Sequence, residues 1–293
     1  MERLNVLKTY KIYIGGKFPR TESGRFYTPL NKKSEQLGNI CLSSRKDVRN
    51  SVVAARKSFG GWSERAAFNR GQILYRIAEI LEGRKSQFIE ELIFQGSTKS
   101  QAEKEVNLSI DRMVYYAGWC DKYTQVLGGI NPVASSHFNF SMHVPQGVIG
   151  VVADKSTSLI GLVSVVAPII AGGNTCIVIA SEELPLCSIT FAEVLNSSDV
   201  PGGVVNILTG EAKEMIKPLT EHMDVNGMVY AGNDKKIVQQ LRESAALNLK
   251  RIQTYDDDWS KEDAQNLYMI SDCQEVKTTW HPIENIGGAT SSY

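Results

Sequence analysis

Neither sign of charge prevails in this chain: 32 Lys and Arg offset 32 Asp and Glu over 293 residues, and the two signs are interspersed. That leaves no basic stripe for a phosphate backbone and no acidic tail, so nucleic acid is not an expected partner. Cysteine is sparse, and its five positions, Cys41, Cys120, Cys176, Cys187 and Cys273, are widely separated and never spaced C-x-x-C. Neither a disulfide framework nor a structural zinc site follows from such a set. The four histidines, His137, His143, His222 and His281, lack any ligand spacing such as H-E-x-x-H, and no metal is expected. A secretory leader is missing too, because the opening MERLNVLKTYKIYIGGK has no continuous apolar run. A cytoplasmic location is the resulting expectation. Residues 156–180 contain no charged side chain at all, and a membrane span needs about 20 mostly apolar residues. Pro168, Gly172, Gly173 and Asn174 interrupt that run and divide it into a helical piece, 159–171, and a β-branched piece, 175–179. A buried helix, a turn and a buried parallel strand account for this better than a span, and no membrane partner is expected.

What is present is core-forming material, 42% hydrophobic residues, enough for one large domain with an appendage. Residues 10–17 alternate apolar and polar positions before a Gly-Gly turn and predict a strand leading into a hairpin. Ser44 then precedes a helical pattern through Phe59, with Val48, Val52, Ala55 and Phe59 on one face. Further helices are predicted over 65–81, 84–94 and 102–126, so the first 130 residues are mostly helix. From Phe138 the period changes to that of strands, over 138–144 and 148–153. Helix 159–171, strand 175–179, helix 189–195, strand 204–208, helix 211–219 and strand 227–230 then alternate. This rhythm predicts an α/β fold: a Rossmann-like open parallel sheet with helices on both faces, preceded by a largely helical N-terminal segment. Beyond Lys250 the order is expected to weaken into the acidic turn Asp256-Asp257-Asp258, followed by a tail with one helix and an extended segment near Trp280.

Five stretches occur together in one order: Tyr13-Ile14-Gly15-Gly16-Lys17, Pro145-Gln146-Gly147-Val148-Ile149-Gly150, Ala167-Pro168-Ile169-Ile170-Ala171-Gly172-Gly173-Asn174-Thr175, Pro201-Gly202-Gly203-Val204-Val205-Asn206-Ile207-Leu208-Thr209-Gly210 and Asn248-Leu249-Lys250-Arg251. In these stretches the chain resembles the coenzyme-binding part of the aldehyde dehydrogenase superfamily, from Tyr10 to about Arg251. The Tyr115-Tyr116-Ala117-Gly118-Trp119-Cys120-Asp121-Lys122-Tyr123 stretch and the tail with Trp280-His281-Pro282 resemble one branch in particular. That branch is the degenerate, noncatalytic C-terminal domain of the family 16 aldehyde dehydrogenases. The resemblance implies a coenzyme-binding domain over 1–255, with a hairpin element at about 130–147 and a tail over 256–293 holding a candidate oligomerisation strand. The family's catalytic domain would be absent, and Met1 favours a separate polypeptide.

For NAD or NADP, the resemblance implies contacts from Glu182, Gly232, Asn233 and Lys235. Glu182 matches a ribose-binding Glu, while the accompanying Lys falls on Ile179. A Glu at a helix start is also favoured by the helix dipole alone. Ala231-Gly232-Asn233 stands where the family has T-G-S at a helix N-terminus, a place that attracts phosphate. Lys235 and Lys236 follow and could neutralise a phosphate or simply be solvated. Family chemistry uses a thiolate nucleophile, an asparagine amide for the oxyanion and a glutamate base. Here the asparagine position matches Ser156 and the glutamate position Tyr255, and none of the five cysteines matches the nucleophile. Cys176 and Cys187 are expected to be packing residues. The segment 285–290, with Thr290 near the cysteine's place, resembles the approach to the family's nucleophile by chance. The expectation is a pseudoenzyme or structural subunit that associates with itself or with a catalytic aldehyde dehydrogenase subunit. NAD(P)-dependent oxidation together with a catalytic partner, and a nucleotide-binding sensor, stand as the alternatives.

Overall fold

The computed structural model describes residues 7–283. Two short strands, β1 (Thr9–Tyr10) and β2 (Phe26–Tyr27), flank β3 (Asn39–Cys41) in a small sheet. Four helices follow: α1 (Arg45–Ser63), α2 (Ala67–Gly83), α3 (Lys85–Phe94) and α4 (Lys99–Trp119). After α5 (Tyr123–Leu127) come β4 (Gly129–Asn131) and β5 (His137–Pro145). The alternating region runs β6 (Val148–Val152), α6 (Ile160–Ala171), β7 (Thr175–Ile179), α7 (Leu186–Asn196), β8 (Val205–Leu208), α8 (Ala212–Thr220), β9 (Gly227–Ala231), α9 (Lys235–Ala246) and β10 (Arg251–Tyr255). The last elements among the described residues are α10 (Tyr268–Ser271) and β11 (Gln274–Pro282).

The central sheet is parallel, in the order β10-β9-β6-β7-β8. Its inner strands are buried throughout, as continuous β-branched runs require when both faces are covered. Alternate residues serve opposite layers. Val148, Val152, Ile177 and Ile179 pack with Val48, Val52 and Ala55 of α1 and Met215 and Leu219 of α8. Ile149, Val151, Cys176 and Val178 pack with α6 and α7, over which α2, α3 and α4 form a second helical layer. The helical N-terminal segment is thus divided between the two faces.

Several expectations need correction. The predicted strand over 10–17 is mostly irregular, because Tyr13 leaves β1 to bridge Ile207 beside the central sheet. The Gly15-Gly16 turn does form, closed by an Ile14–Lys17 bridge. The predicted helix 102–126 is two helices, broken where buried Tyr123 turns its hydroxyl toward the Gly172 carbonyl at 3.4 Å. The first helix continues past Phe59 to Ser63, which carries Trp62 into the core, where its indole N–H donates to the Ile170 carbonyl at 3.1 Å. Order does not weaken after Lys250, since β10 extends the sheet as its edge strand. With no strand on its outer side among the described residues, it is half polar, without the apolar run that marks the inner strands.

The hairpin β4–β5 gains a third strand from the end of the chain, giving the order β11-β5-β4. β11 pairs antiparallel with all nine residues of β5, and the Ser141 and Thr278 hydroxyls meet at 2.9 Å. Between β10 and β11 the chain returns to the core, burying Trp259, Ala264, Met269, Ile270 and Cys273. Arg112 of α4 holds this return segment by donating to the Trp259 and Lys261 carbonyls at 3.3 and 2.9 Å and to the Ser164 hydroxyl at 2.5 Å. None of the helices among the described residues is long and apolar enough to cross a membrane.

Candidate functional site

The chain winds from β6 through β7 to β8 on one side, then returns to place β9 and β10 on the other. That reversal opens a crevice beyond the carboxyl ends of β6 and β9, the position at which open α/β sheets bind ligands. Its walls are residues 153–157 after β6 and 232–235 after β9. After β6, Asp154 organises the turn: its carboxylate accepts the Ser156 N–H at 3.1 Å, the Ser156 hydroxyl at 2.6 Å and the Thr157 hydroxyl at 2.8 Å. Ser156 is exposed, but its hydroxyl is committed to Asp154.

After β9, the Tyr230 phenol lies against Gly232, so close that a Cβ there would fall 2.7 Å from the hydroxyl oxygen. Asn233 donates its amide to Asp256 at 2.8 Å. Asp234 is the N-cap of α9, and its carboxylate accepts the Lys236 and Ile237 N–H groups at 2.8 and 3.4 Å. Lys235 is exposed on the first turn. Burial raises the Tyr230 phenol above its ordinary range, with the charges of Asp234, Asp154 and Asp256 adding to the shift.

The N-terminus of α6 is also internally occupied. Glu105 of α4 accepts the Ser158, Leu159 and Ile160 N–H groups at 3.2, 2.9 and 3.2 Å, and the Thr157 hydroxyl accepts the Gly161 N–H at 3.1 Å. Burial pushes the Glu105 carboxyl up from 4.5, against the lowering effect of those three donors. Beside Glu105 opens a cleft of about 660 Å³ lined by Gln95, Lys104, Lys155, Ser156, Asp257 and Trp259. Trp259 packs on the first turn of α6, its Cδ1 being 3.2 Å from where a Gly161 Cβ would lie.

Of the residues singled out from the sequence, Ser156, Gly232, Asn233 and Lys235 border one crevice. Glu182 follows β7, on the far side of β6 from β9, so roughly 10 Å of sheet separates it from Gly232. It is exposed, and its backbone carbonyl accepts the Tyr27 hydroxyl at 3.1 Å. Tyr255 ends β10, and its hydroxyl donates to Asp272 at 2.7 Å; burial first, then nearby Cys273 and Asp272, keep it protonated far above the ordinary range. All five cysteines are buried. Burial pushes Cys120 and Cys273 up to about 12 and raises Cys176 and Cys187 as well. Residues 285–290 lie outside the described residues. Sequence reasoning missed Glu105, Asp154, Asp234 and Asp256. Asp234 carried a readable signal, an N-cap carboxylate directly before a helix, whereas Glu105 reaches backbone more than fifty residues away.

The aldehyde dehydrogenase family matches residues 19–254 of the chain. The Bacillus subtilis relative DhaS is 31% identical over 249 residues, covering 83% of this chain and 50% of that protein. The cytosolic 10-formyltetrahydrofolate dehydrogenase of Mus musculus is 29% identical, over 86% of this chain and 29% of its own length. Among solved structures, an NAD⁺ complex of a Bacillus cereus aldehyde dehydrogenase has the same fold, with a TM-score of 0.80 at 23% identity over 84% of this chain and 50% of that one. The chain therefore spans half or less of the length of these relatives. It belongs to the aldehyde dehydrogenase family.

Proposed function

We propose that this family member is a noncatalytic subunit, a pseudoenzyme that works by association rather than by oxidising aldehydes. The observation that carries the reading is the state of its thiols. Aldehyde oxidation through a covalent adduct needs an accessible thiolate. Every cysteine of this chain is buried, and burial raises the pKa of four of them. The Ser156 hydroxyl and the Tyr255 phenol, at positions matched with the family's oxyanion donor and base, are engaged by Asp154 and Asp272.

Association is supported by the sheet β11-β5-β4. The outer edge of β11 runs nine residues with no strand beside it among the described residues. Val276 and Trp280, 62% and 57% exposed, lie on one face, and Ile130, Phe138 and Met142 are exposed on the other. A long open edge flanked by apolar side chains favours strand addition or face packing. The partner is a second copy of this chain or a catalytic aldehyde dehydrogenase subunit. The alternative, participation in NAD(P)-dependent oxidation beside a catalytic partner, is favoured by the family and by the names of the relatives.

Light scattering and an NAD(P)H-release assay test the reading together. The expected result is a dimer or larger, a smaller species for a Val276→Lys/Trp280→Lys variant, and no NAD(P)H from any aldehyde, alone or mixed with a catalytic aldehyde dehydrogenase beyond that enzyme's own rate. Turnover by the chain alone, or stimulation on mixing that the variant abolishes, would replace it with the enzymatic reading.

A further inference from the structure

We propose that the crevice between β6 and β9 is closed to anionic dinucleotides by the chain's own carboxylates, with Asp234 as the determining residue. The inference rests on the family reading in one respect, that the crevice descends from a coenzyme-binding one. A dinucleotide pyrophosphate needs free N–H donors at a helix N-terminus, a close backbone approach and net positive surroundings. The residues present do not meet these needs.

Donors are the first mismatch. At α9 the Lys236 and Ile237 N–H groups are taken by the Asp234 carboxylate, and at α6 the N–H groups of residues 158–160 are taken by Glu105. Both helix termini therefore hold an anion already, and it is covalently part of the chain. Space is the second mismatch: the glycine that would let a phosphate approach the backbone is covered by the Tyr230 phenol. Charge is the third, because three carboxylates stand on the crevice walls: Asp154 in the turn after β6, Asp234 at the cap of α9 and Asp256 on the Asn233 amide. Exposed Lys155, Lys235 and Lys236, none with a carboxylate partner among the described residues, only balance these three, so the crevice lacks the net positive charge that a pyrophosphate needs. A phosphate entering here would displace a capping carboxylate from its hydrogen bonds and then remain beside it, and like charges at such range repel even in high dielectric.

Neutralising the carboxylates without removing their cap separates electrostatic exclusion from simple loss of structure. An Asn at an N-cap keeps the accepting oxygen and caps about as well as Asp. The experiment is calorimetric titration of the wild-type chain, Asp234→Asn and Asp234→Asn/Asp256→Asn with NAD, NADP and AMP at low ionic strength, with Asp234→Ser as a second neutral cap should the first variant fold poorly. The wild type is expected to give no saturable heat at millimolar ligand. The double variant should bind NAD at least tenfold more tightly than the wild type, with the single variant between them. A micromolar Kd for the wild type overturns the proposal, and so does a well-folded double variant that binds no better than the wild type. The NAD(P)H assay keeps the two readings apart: a wild type that binds NAD without oxidising aldehydes overturns the exclusion and leaves the noncatalytic subunit standing, whereas aldehyde turnover overturns the latter.

Discussion

Replacing Trp259 by Ala tests whether the segment joining β10 to β11 is an integral part of the core. The indole is only 4% exposed and lies on the first turn of α6 beside Gly161. It also meets the Tyr255 ring edge-on at a centroid separation of 6.4 Å, and its backbone carbonyl accepts from buried Arg112. Truncating a core Trp to Ala removes its transfer free energy and leaves a cavity, together about 3–5 kcal/mol. With a urea m-value of about 3 kcal/mol/M, the upper end of the usual range as suits a chain of this size, the midpoint should fall by roughly 1–1.7 M. The assay is urea unfolding followed by circular dichroism, with Arg112→Met and the double variant alongside. Because both residues pin the same return segment to the core, loosening it by one substitution lowers the cost of the other, and the effects should fall short of additivity by about 0.5 kcal/mol or more. A midpoint shift below about 0.3 M would mean that the return segment is not packed on α6 and would refute the reasoning.

The thiols give a sharper chemical prediction: a thiol-specific disulfide reagent at pH 8 should modify none of the five cysteines in the native protein within minutes and all five after denaturation. One rapidly reacting native thiol would remove the main support for the noncatalytic reading. Lys250 gives a pH-dependent one. Its ammonium donates to the Thr220 and His222 carbonyls at the end of α8, both at 2.6 Å, and burial lowers it from 10.5 to about 8. The folded state then releases this proton before the unfolded state does, so stability should rise with pH between about 8 and 10.5 relative to a Lys250→Met variant. Urea midpoints of both proteins at pH 8 and pH 9.5 measure the difference, and parallel slopes would show that the lysine carries no such linkage.

The alternating core was legible because its signals are local. Each inner strand is a run of β-branched residues such as Val148-Ile149-Gly150-Val151-Val152 or Thr175-Cys176-Ile177-Val178-Ile179, bounded by glycine or asparagine. Helix boundaries were legible where a cap marked them, as at Ser44, whose N–H and hydroxyl both donate to Asp47. What escaped depends on neighbours distant in sequence. β10 has no apolar run, so its membership of the sheet lies in its pairing with β9 and not in its composition. Trp259 sits between Asp258 and Ser260, a polar setting that conceals a core residue until Arg112 and Gly161 are brought to it. The full pairing of β11 with β5 joins residues more than 120 positions apart.

The same distinction separates what can be inherited from a family from what this chain has altered. Gly232 and Lys235 could be matched by position, but on the exclusion proposed above their surroundings oppose the chemistry that the match implies, since the Lys236 and Ile237 N–H groups are bonded to Asp234. A carboxylate that caps a helix turns the attraction of that terminus for anions into folding stability. A cap of this kind contributes about 0.5–2 kcal/mol in all. Removing the cap altogether, with Asp234→Ala, should therefore move two quantities in opposite directions, lowering the stability of α9 while raising affinity for phosphate, whereas Asp234→Asn should raise the affinity alone. A residue that only shaped the turn would change the first without the second, and one that contacted a bound coenzyme favourably would lower both. Opposed signs in the unfolding and titration of the same variant are the signature of a binding site converted into a structural one.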